Sequence, residues 1–358
     1  MTAGQSLADG AAGIALLHLE TGNWPAAHAE LERAVAGGVS IAAGASLYYG
    51  APALAVVLAA SDQPGLLRAK ATAATGTAIV TRRRLKAAHR RIDQRQRQRP
   101  QYAEYDLIRG LTGLGVALRR MGDRDLLRDV LTYLVRLTDP IDGLPGWWCP
   151  HGPKRDQPVP GGHGNHGVAH GITGPLALLA LTLIDGIIVD GHAGAISRIC
   201  RWLDTWERQT SAGSWWPEIV TLDDLDQGEP RQPGPLRPSW CYGTPGIARA
   251  QQLAARALGD SSRQHRAETA FTACIADPTQ LSRLTDRGLC HGTAGLLTAA
   301  RRIAADALTP IPIGPLAHLH QQTIAAANEP SGFLTGLAGA DLAAVGTTTS
   351  WDACLLLC

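Results

Sequence analysis

The chain has 358 residues, a formal net charge of +2 and 45% hydrophobic residues. That length buries a core with ease, the balanced charge argues for neither a nucleic-acid partner nor a membrane surface, and no uncharged apolar run is long enough to span a bilayer. No secretory signal opens the chain, so its seven cysteines point to a reducing compartment, cytoplasmic by default, and to thiol or metal chemistry rather than a disulfide framework.

Aromatic residues are few and alanine is abundant, which favours closely packed helices over strands. Gly-x-x-Gly steps recur along the chain at Gly10/Gly13, Gly110/Gly113, Gly171/Gly174, Gly243/Gly246, Gly292/Gly295 and Gly336/Gly339. A degenerate copy, Gly50-Ala51-Pro52-Ala53, fills the gap after the first. An apolar segment follows each step, such as Ile14-Ala15-Leu16-Leu17 or Pro175-Leu176-Ala177-Leu178-Leu179. Most intervals hold a second helical stretch, for example Arg124 to Leu137 and Ile196 to Trp206. Seven units of two helices predict an all-α fold of about fourteen helices. Stacked hairpins form either an open superhelix or a closed ring. The outer repeats, Ile14 to Leu19 and Asp352 to Cys358, look core-like rather than polar. That favours closure into an α/α toroid, with residues 1–358 as a single domain.

Two segments break this rhythm. Residues 82–99 carry Arg82, Arg83, Arg84, Lys86, Arg90, Arg91, Arg95, Arg97 and Arg99 against Asp93. They form either a solvated helix face or a docking surface for an acidic partner. Residues 228–238 hold four prolines and form a loop that delivers the chain to Cys241.

In a repeat, equivalent positions point to equivalent places. Cys241 and Cys290 both stand two before their first glycine, and His291 and His170 both stand one before. Asp106 stands four before Gly110. Two thiols and an imidazole make a catalytic zinc set with a fourth position left for water or substrate. Two thiolates nearly cancel the metal's charge, so such a site suits activating a thiol better than activating water. The alternative is a buried thiol beside a hydrogen-bonded histidine. His170 is a fourth ligand or an acid/base, and Asp106 orients it or acts alone. Arg237 stabilises an oxyanion or makes a surface ion pair. His163 and His166 are expected to be loop histidines. Trp147, Trp148, Trp215 and Trp216 either line a peptide groove or fill the core. Cys149, Cys200, Cys274, Cys354 and Cys358 lack the repeat position and are expected to be buried or incidental thiols.

The stretches Ser239-Trp240-Cys241-Tyr242-Gly243, Cys290-His291-Gly292 and Gly167-Val168-Ala169-His170-Gly171 resemble the signature motifs of lanthionine synthetase C-like proteins, the lanthipeptide cyclases. Tyr105 to Gly113, Gly332 to Gly339 and Trp351-Asp352 fit the resemblance too, which covers nearly the whole chain. It implies an α/α toroid with zinc held by Cys241, Cys290 and His291. It also implies addition of a precursor-peptide cysteine to dehydroalanine or dehydrobutyrine, giving a lanthionine or methyllanthionine ring. By the same match, His170 and Asp106 are the acid/base candidates, Arg237 a supporting charge, and Trp240 and Tyr242 shape the substrate pocket. The implied partners are the dehydrated precursor peptide, a separate dehydratase and an export transporter. Membrane contact, if any, would run through that complex. The compact chain leaves little room for an inserted peptide-binding subdomain, so residues 82–99 become the candidate for leader recognition. Three other functions compete: a prenyltransferase-like zinc–thiolate enzyme, a relative that adds glutathione to dehydroamino acids, and a non-catalytic zinc scaffold.

Overall fold

The computed structural model describes residues 3–94, 98–152, 158–325, 327–346 and 349–358, so Arg95 and Arg97 of the basic run lie outside the described residues. There are sixteen α-helices among these residues, and three of them, Tyr102–Tyr105, Leu222–Gln227 and Pro278–Leu281, are very short. The thirteen that remain compare with the fourteen predicted. None is long and apolar enough to cross a membrane.

Each repeat glycine stands where a helix begins. Gly10, Gly50, Gly243, Gly292 and Gly336 are N-caps, Gly110 directly precedes the helix Leu111–Met121, and Gly171 lies just before Thr173–Ile184. The second glycine lies in the first turn, packed on the carbonyl six residues back. A Cβ at Gly174, Gly246, Gly295 or Gly339 would overlap the backbone oxygen of Val168, Trp240, Leu289 or Phe333. The second repeat departs from this pattern for a visible reason. Its cap, Gly50, has φ +77°, whereas Gly10, Gly243, Gly292 and Gly336 are extended. The chain therefore enters that helix from another direction, and Ala53 is accommodated, fully buried.

The helices after the glycines are buried nearly all round. Every residue of Ala51–Leu58 is buried, as are 173–182 and 244–255. The intervening helices bury one face. In His192–Trp206 the buried residues are His192, Ala195, Ile196, Ile199, Cys200, Leu203 and Trp206, the three-and-four spacing of an amphipathic helix.

The chain separates into two compact units. One comprises 1–82, 113–126 and 284–358. In it Ala11–Glu20 packs on Trp24–Val35 and Leu337–Val345, and Thr293–Ala305 packs on Gly314–Gln322 and Leu337–Val345. The last repeat loop meets the first there: the Phe333 and Leu334 N–H groups donate to the Ala8 carbonyl at 2.7 and 3.0 Å. The Tyr48 hydroxyl donates to the Cys354 carbonyl at 2.9 Å, and Arg302 grips the fully buried Asp352 through two bonds of 2.6 Å.

The other unit comprises 83–112 and 127–283. Its centre is Thr244–Leu258, packed on Thr173–Ile184 and Ser261–Ala276. It also holds two antiparallel ribbons absent from the sequence-based expectation. His163–Asn165 pairs with Ile219–Thr221, and Arg208–Thr210 pairs with Gly213–Trp215. Residues 228–238 are irregular, as expected. On the helix Leu67–Asp93, Arg82, Arg83, Lys86 and Arg90 are exposed, while Arg91 is held by Glu104 at 2.8 Å.

One backbone pattern recurs in both units. At five of the seven first glycines (Gly10, Gly50, Gly171, Gly243 and Gly336), the residue two before offers its carbonyl to N–H groups of the preceding repeat loop. Leu7 donates to Tyr48, Leu107 to Ala169, Val168 to Cys241 and Cys290 to Leu334, at 2.8–3.2 Å. The two cysteines of the repeat occupy this position, so neighbouring loops hold their main chain: Cys241 by its carbonyl and Cys290 by its N–H.

Candidate metal centre and proton-transfer pair

The Cys241 thiol, the Cys290 thiol and one ring nitrogen of His291 all lie within 4.8 Å of one another, the single such group of His, Cys, Asp and Glu among the described residues. Donors on a tetrahedral zinc stand about 3.5–3.8 Å apart at ordinary bond lengths. The set therefore fits one ion after small side-chain adjustments, and two thiols with one imidazole suit zinc's borderline softness. Cys241 is buried; Cys290 is half-buried, and the His291 side chain is 33% exposed, so the group remains open to a ligand.

The backbone around each half of this group follows the repeat. Cys241 lies in a loop where the Gly243 N–H donates to the Ser239 carbonyl at 3.0 Å and the Tyr242 N–H to the Ser239 hydroxyl at 3.3 Å. The Cys290 N–H donates to the Leu334 carbonyl at 2.8 Å. Asp286 braces the loop of Cys290 and His291. Its Oδ1 accepts from the Gly288 N–H at 2.9 Å and its Oδ2 lies 3.6 Å from His291 Nε2.

His170 and Asp106 form a second element of the site. His170 Nδ1 lies 2.7 Å from Asp106 Oδ2. Asp106 is fully buried, and its other oxygen accepts the N–H groups of Arg109 and Gly110, both at 2.7 Å. These bonds hold the carboxylate rigidly. The His170 ring is a third exposed, flanked by Tyr102 edge-on at 5.4 Å and by Tyr242 at 6.5 Å. With Nδ1 engaged, Nε2 is the edge presented outward.

Tyr242 is held from behind, its hydroxyl accepting from Asn165 Nδ2 at 3.1 Å. Burial raises its pKa, so it stays a neutral phenol. Trp240 is fully buried and so does not lie open to a substrate. Arg237 is half-buried; its carbonyl accepts from the Ser239 N–H at 2.8 Å, and no ion pair engages its guanidinium among the described residues.

One expectation is corrected, and burial decides between others. His163 and His166 are fully buried, and of these two expected loop histidines only His166 keeps a loop position. His163 lies in a strand, and His166 is locked between the Pro217 carbonyl at Nδ1 and the Trp202 indole N–H at Nε2, both at 2.8 Å. Burial pushes both imidazoles down to about 4. Trp147, Trp148, Trp215 and Trp216 are all buried and fill the core. Cys149, Cys200, Cys274 and Cys354 are buried, as expected of incidental thiols. Burial pushes Cys200 up to about 11 and Cys274 and Cys358 up to about 12.

Asn165 and Asp286 were not singled out in the sequence. Each stands six before a first glycine. Each accepts the N–H two residues on through its side chain, and its carbonyl accepts the N–H seven residues on. The shared offset was the signal that could have found them.

The profile described as "Lanthionine synthetase C-like protein" matches residues 2–346. The chain belongs to the lanthionine synthetase C-like family. Nisin biosynthesis protein NisC of Lactococcus lactis subsp. lactis is 26% identical over 202 residues, 54% of this chain and 48% of that protein. That match spans about half the length of the curated relative. A solved structure titled "Nisin cyclase" superposes with a TM-score of 0.85 at 21% identity, covering all of this chain and 93% of the other. At this identity the likeness establishes the fold. This lanthionine synthetase C-like chain is thus an all-α toroid, as its glycine repeat predicted.

Proposed function

We propose that the protein is a zinc-dependent lanthipeptide cyclase. It would join a cysteine of a dehydrated precursor peptide to a dehydroalanine or dehydrobutyrine of the same peptide. The observation that carries this reading is the convergence of Cys241, Cys290 and His291 within 4.8 Å. Membership of the family and the likeness to a nisin cyclase supply the substrate class.

Cys241, Cys290 and His291 are the residues that would hold the metal. When bound, zinc supplies a substrate thiolate near neutral pH by lowering the pKa of the cysteine thiol. The sulfur bonds to the β-carbon of the dehydro residue. The electron pair of the broken π bond passes toward the carbonyl as an enolate, and the α-carbon then takes a proton. His170 is the proton carrier in this reading, because its Nε2 faces outward while Asp106 holds Nδ1. Asp106 is a positioning residue, its oxygens committed to His170 and to two backbone N–H groups. Arg237 supplies a fixed positive charge toward the enolate oxygen. Tyr242, braced by Asn165, forms a wall beside His170. A non-catalytic scaffold would have no use for this oriented histidine pair.

Metal content by elemental analysis, wild type beside Cys290→Ala, tests the reading, together with ring formation on a synthetic peptide carrying dehydroalanine and cysteine. Loss of free thiol is followed by alkylation and mass spectrometry. The expected result is about one zinc per chain, lost in the variant together with ring formation. Folded wild-type protein without zinc, or a variant that still closes rings at the wild-type rate, would sink it. Free glutathione in the same assay separates a cyclase from a glutathione-adding relative.

A further inference from the structure

A cavity of about 470 Å³ opens beside His170. Its lining includes Gln101, Tyr102, Arg109, Cys149, His151 and Val159. Tyr102 connects it to the chemistry, since the same ring stands edge-on to His170 at 5.4 Å. One aromatic ring therefore separates this cavity from the proton-carrying imidazole. Arg109 is connected as well. The Asp106 oxygen that does not touch His170 accepts the Arg109 N–H at 2.7 Å. A single turn, 106–110, thus orients His170 on one side and carries Arg109 to the cavity on the other.

Among the described residues that line this cavity, the charge is one-sided. No acidic side chain is among the described residues that line it. The Arg109 side chain is exposed and makes no ion pair among the described residues. The walls mix small apolar residues, Ala103, Pro150 and Val159, with the polar side chains of Gln101, Tyr102 and His151. A volume of this size takes a few residues of a peptide rather than a whole folded domain. A cation at the rim of a cavity with polar and small apolar walls selects a carboxylate and leaves room for its neighbouring residues.

We propose that this cavity is a subsite for the precursor-peptide segment flanking the dehydro residue, and that Arg109 recognises an acidic side chain there. The proposal rests on the cyclase reading and deepens it. It makes Arg109 a specificity residue: the guanidinium holds the peptide so that the α-carbon of the neighbouring dehydro residue faces His170 Nε2.

The test is a binding experiment that needs no turnover. Fluorescently labelled linear peptides carry one dehydroalanine, a serine in place of cysteine, and either Glu or Gln at each of the two positions before and after it. Fluorescence anisotropy measures their affinity for wild type and for Arg109→Gln, both zinc-loaded. The expected result is that Glu at one of these positions binds roughly fivefold more tightly than Gln. The preference should fade as salt is raised and vanish in Arg109→Gln, whose thermal midpoint should match wild type because the side chain is exposed. Equal affinity of every Glu/Gln pair for wild type would overturn the proposal, as would a preference that survives Arg109→Gln. If the peptides bind with the Glu preference but the cysteine form is never cyclised, the subsite stands and the cyclase reading falls. If rings form without the preference, the reverse holds.

Discussion

His170 touches Asp106 through Nδ1 alone, and that one bond divides the labour between the two residues. Replacing His170 with Ala should slow ring formation by about 10²–10⁴-fold, the span ordinary for a lost general acid/base, while leaving zinc content intact. Asp106→Asn keeps the shape but offers His170 a poorer partner, so a smaller loss with a shifted pH–rate profile is expected. Equal zinc and an unchanged rate in His170→Ala would remove the histidine from the mechanism. Both residues were legible in the sequence because each keeps a fixed offset from a repeat glycine. Their contact was not, since sixty-four positions separate them and only the pairing of loops brings them together. Asn165 and Asp286 escaped notice for another reason. They lie six before the glycine, at the edge of the loop, where an Asx residue reads as ordinary turn chemistry. Paired tryptophans carry no positional signal at all, and burial alone assigned them to the core.

At the scale of the element, the two glycines of each step answer to different constraints. Gly246 has no room for a side chain, because a Cβ would overlap the Trp240 carbonyl oxygen. Gly259, which ends the helix Thr244–Leu258, faces open space but has φ +70°. Gly246→Ala should therefore cost roughly 3 kcal/mol as overpacking, and Gly259→Ala about 1–2 kcal/mol as left-handed strain. Urea midpoints of the two variants beside wild type check the order, and an equal or reversed ranking would contradict the steric account. Gly246→Ala should also disturb zinc binding, because the displaced carbonyl precedes Cys241. Helices of this kind were readable in sequence: Arg124–Leu137 has the predicted ends. The ribbons were not, because a strand of three residues shows no alternation to detect.

For the molecule as a whole, buried histidines set a limit in acid. His163 and His166 stay neutral in the fold down to about 4, whereas in the unfolded chain they take up a proton near the ordinary histidine value of about 6.5. Between these values the unfolded state binds more protons, so stability is full above about pH 6.5 and falls as the pH drops toward 4. Each histidine contributes a loss on the order of 3 kcal/mol across that window. His166 gives the physical reason: Nε2 accepts the Trp202 N–H, and a proton there would set two donors face to face. Denaturation midpoints at pH 7 and pH 5 measure the effect, and a flat profile would show that both rings find a proton-bearing state inside the fold. The seven-unit architecture was visible in spacing alone, because one helix-entry device recurs along the chain. The division of labour among the units was not, because it depends on which side chain occupies each copy of the same berth. That berth, two before the glycine, holds Ala8, Tyr48, Ile108, Ala169 and Leu334 as well as the two cysteines. Backbone bonds hold Ala8, Tyr48, Ala169, Cys241 and Leu334 by their carbonyls whatever side chain stands there. The scaffold is therefore indifferent to its own chemistry. Reactive groups can be exchanged between berths by single substitutions without redesign of the loop, much as type is set in a fixed frame.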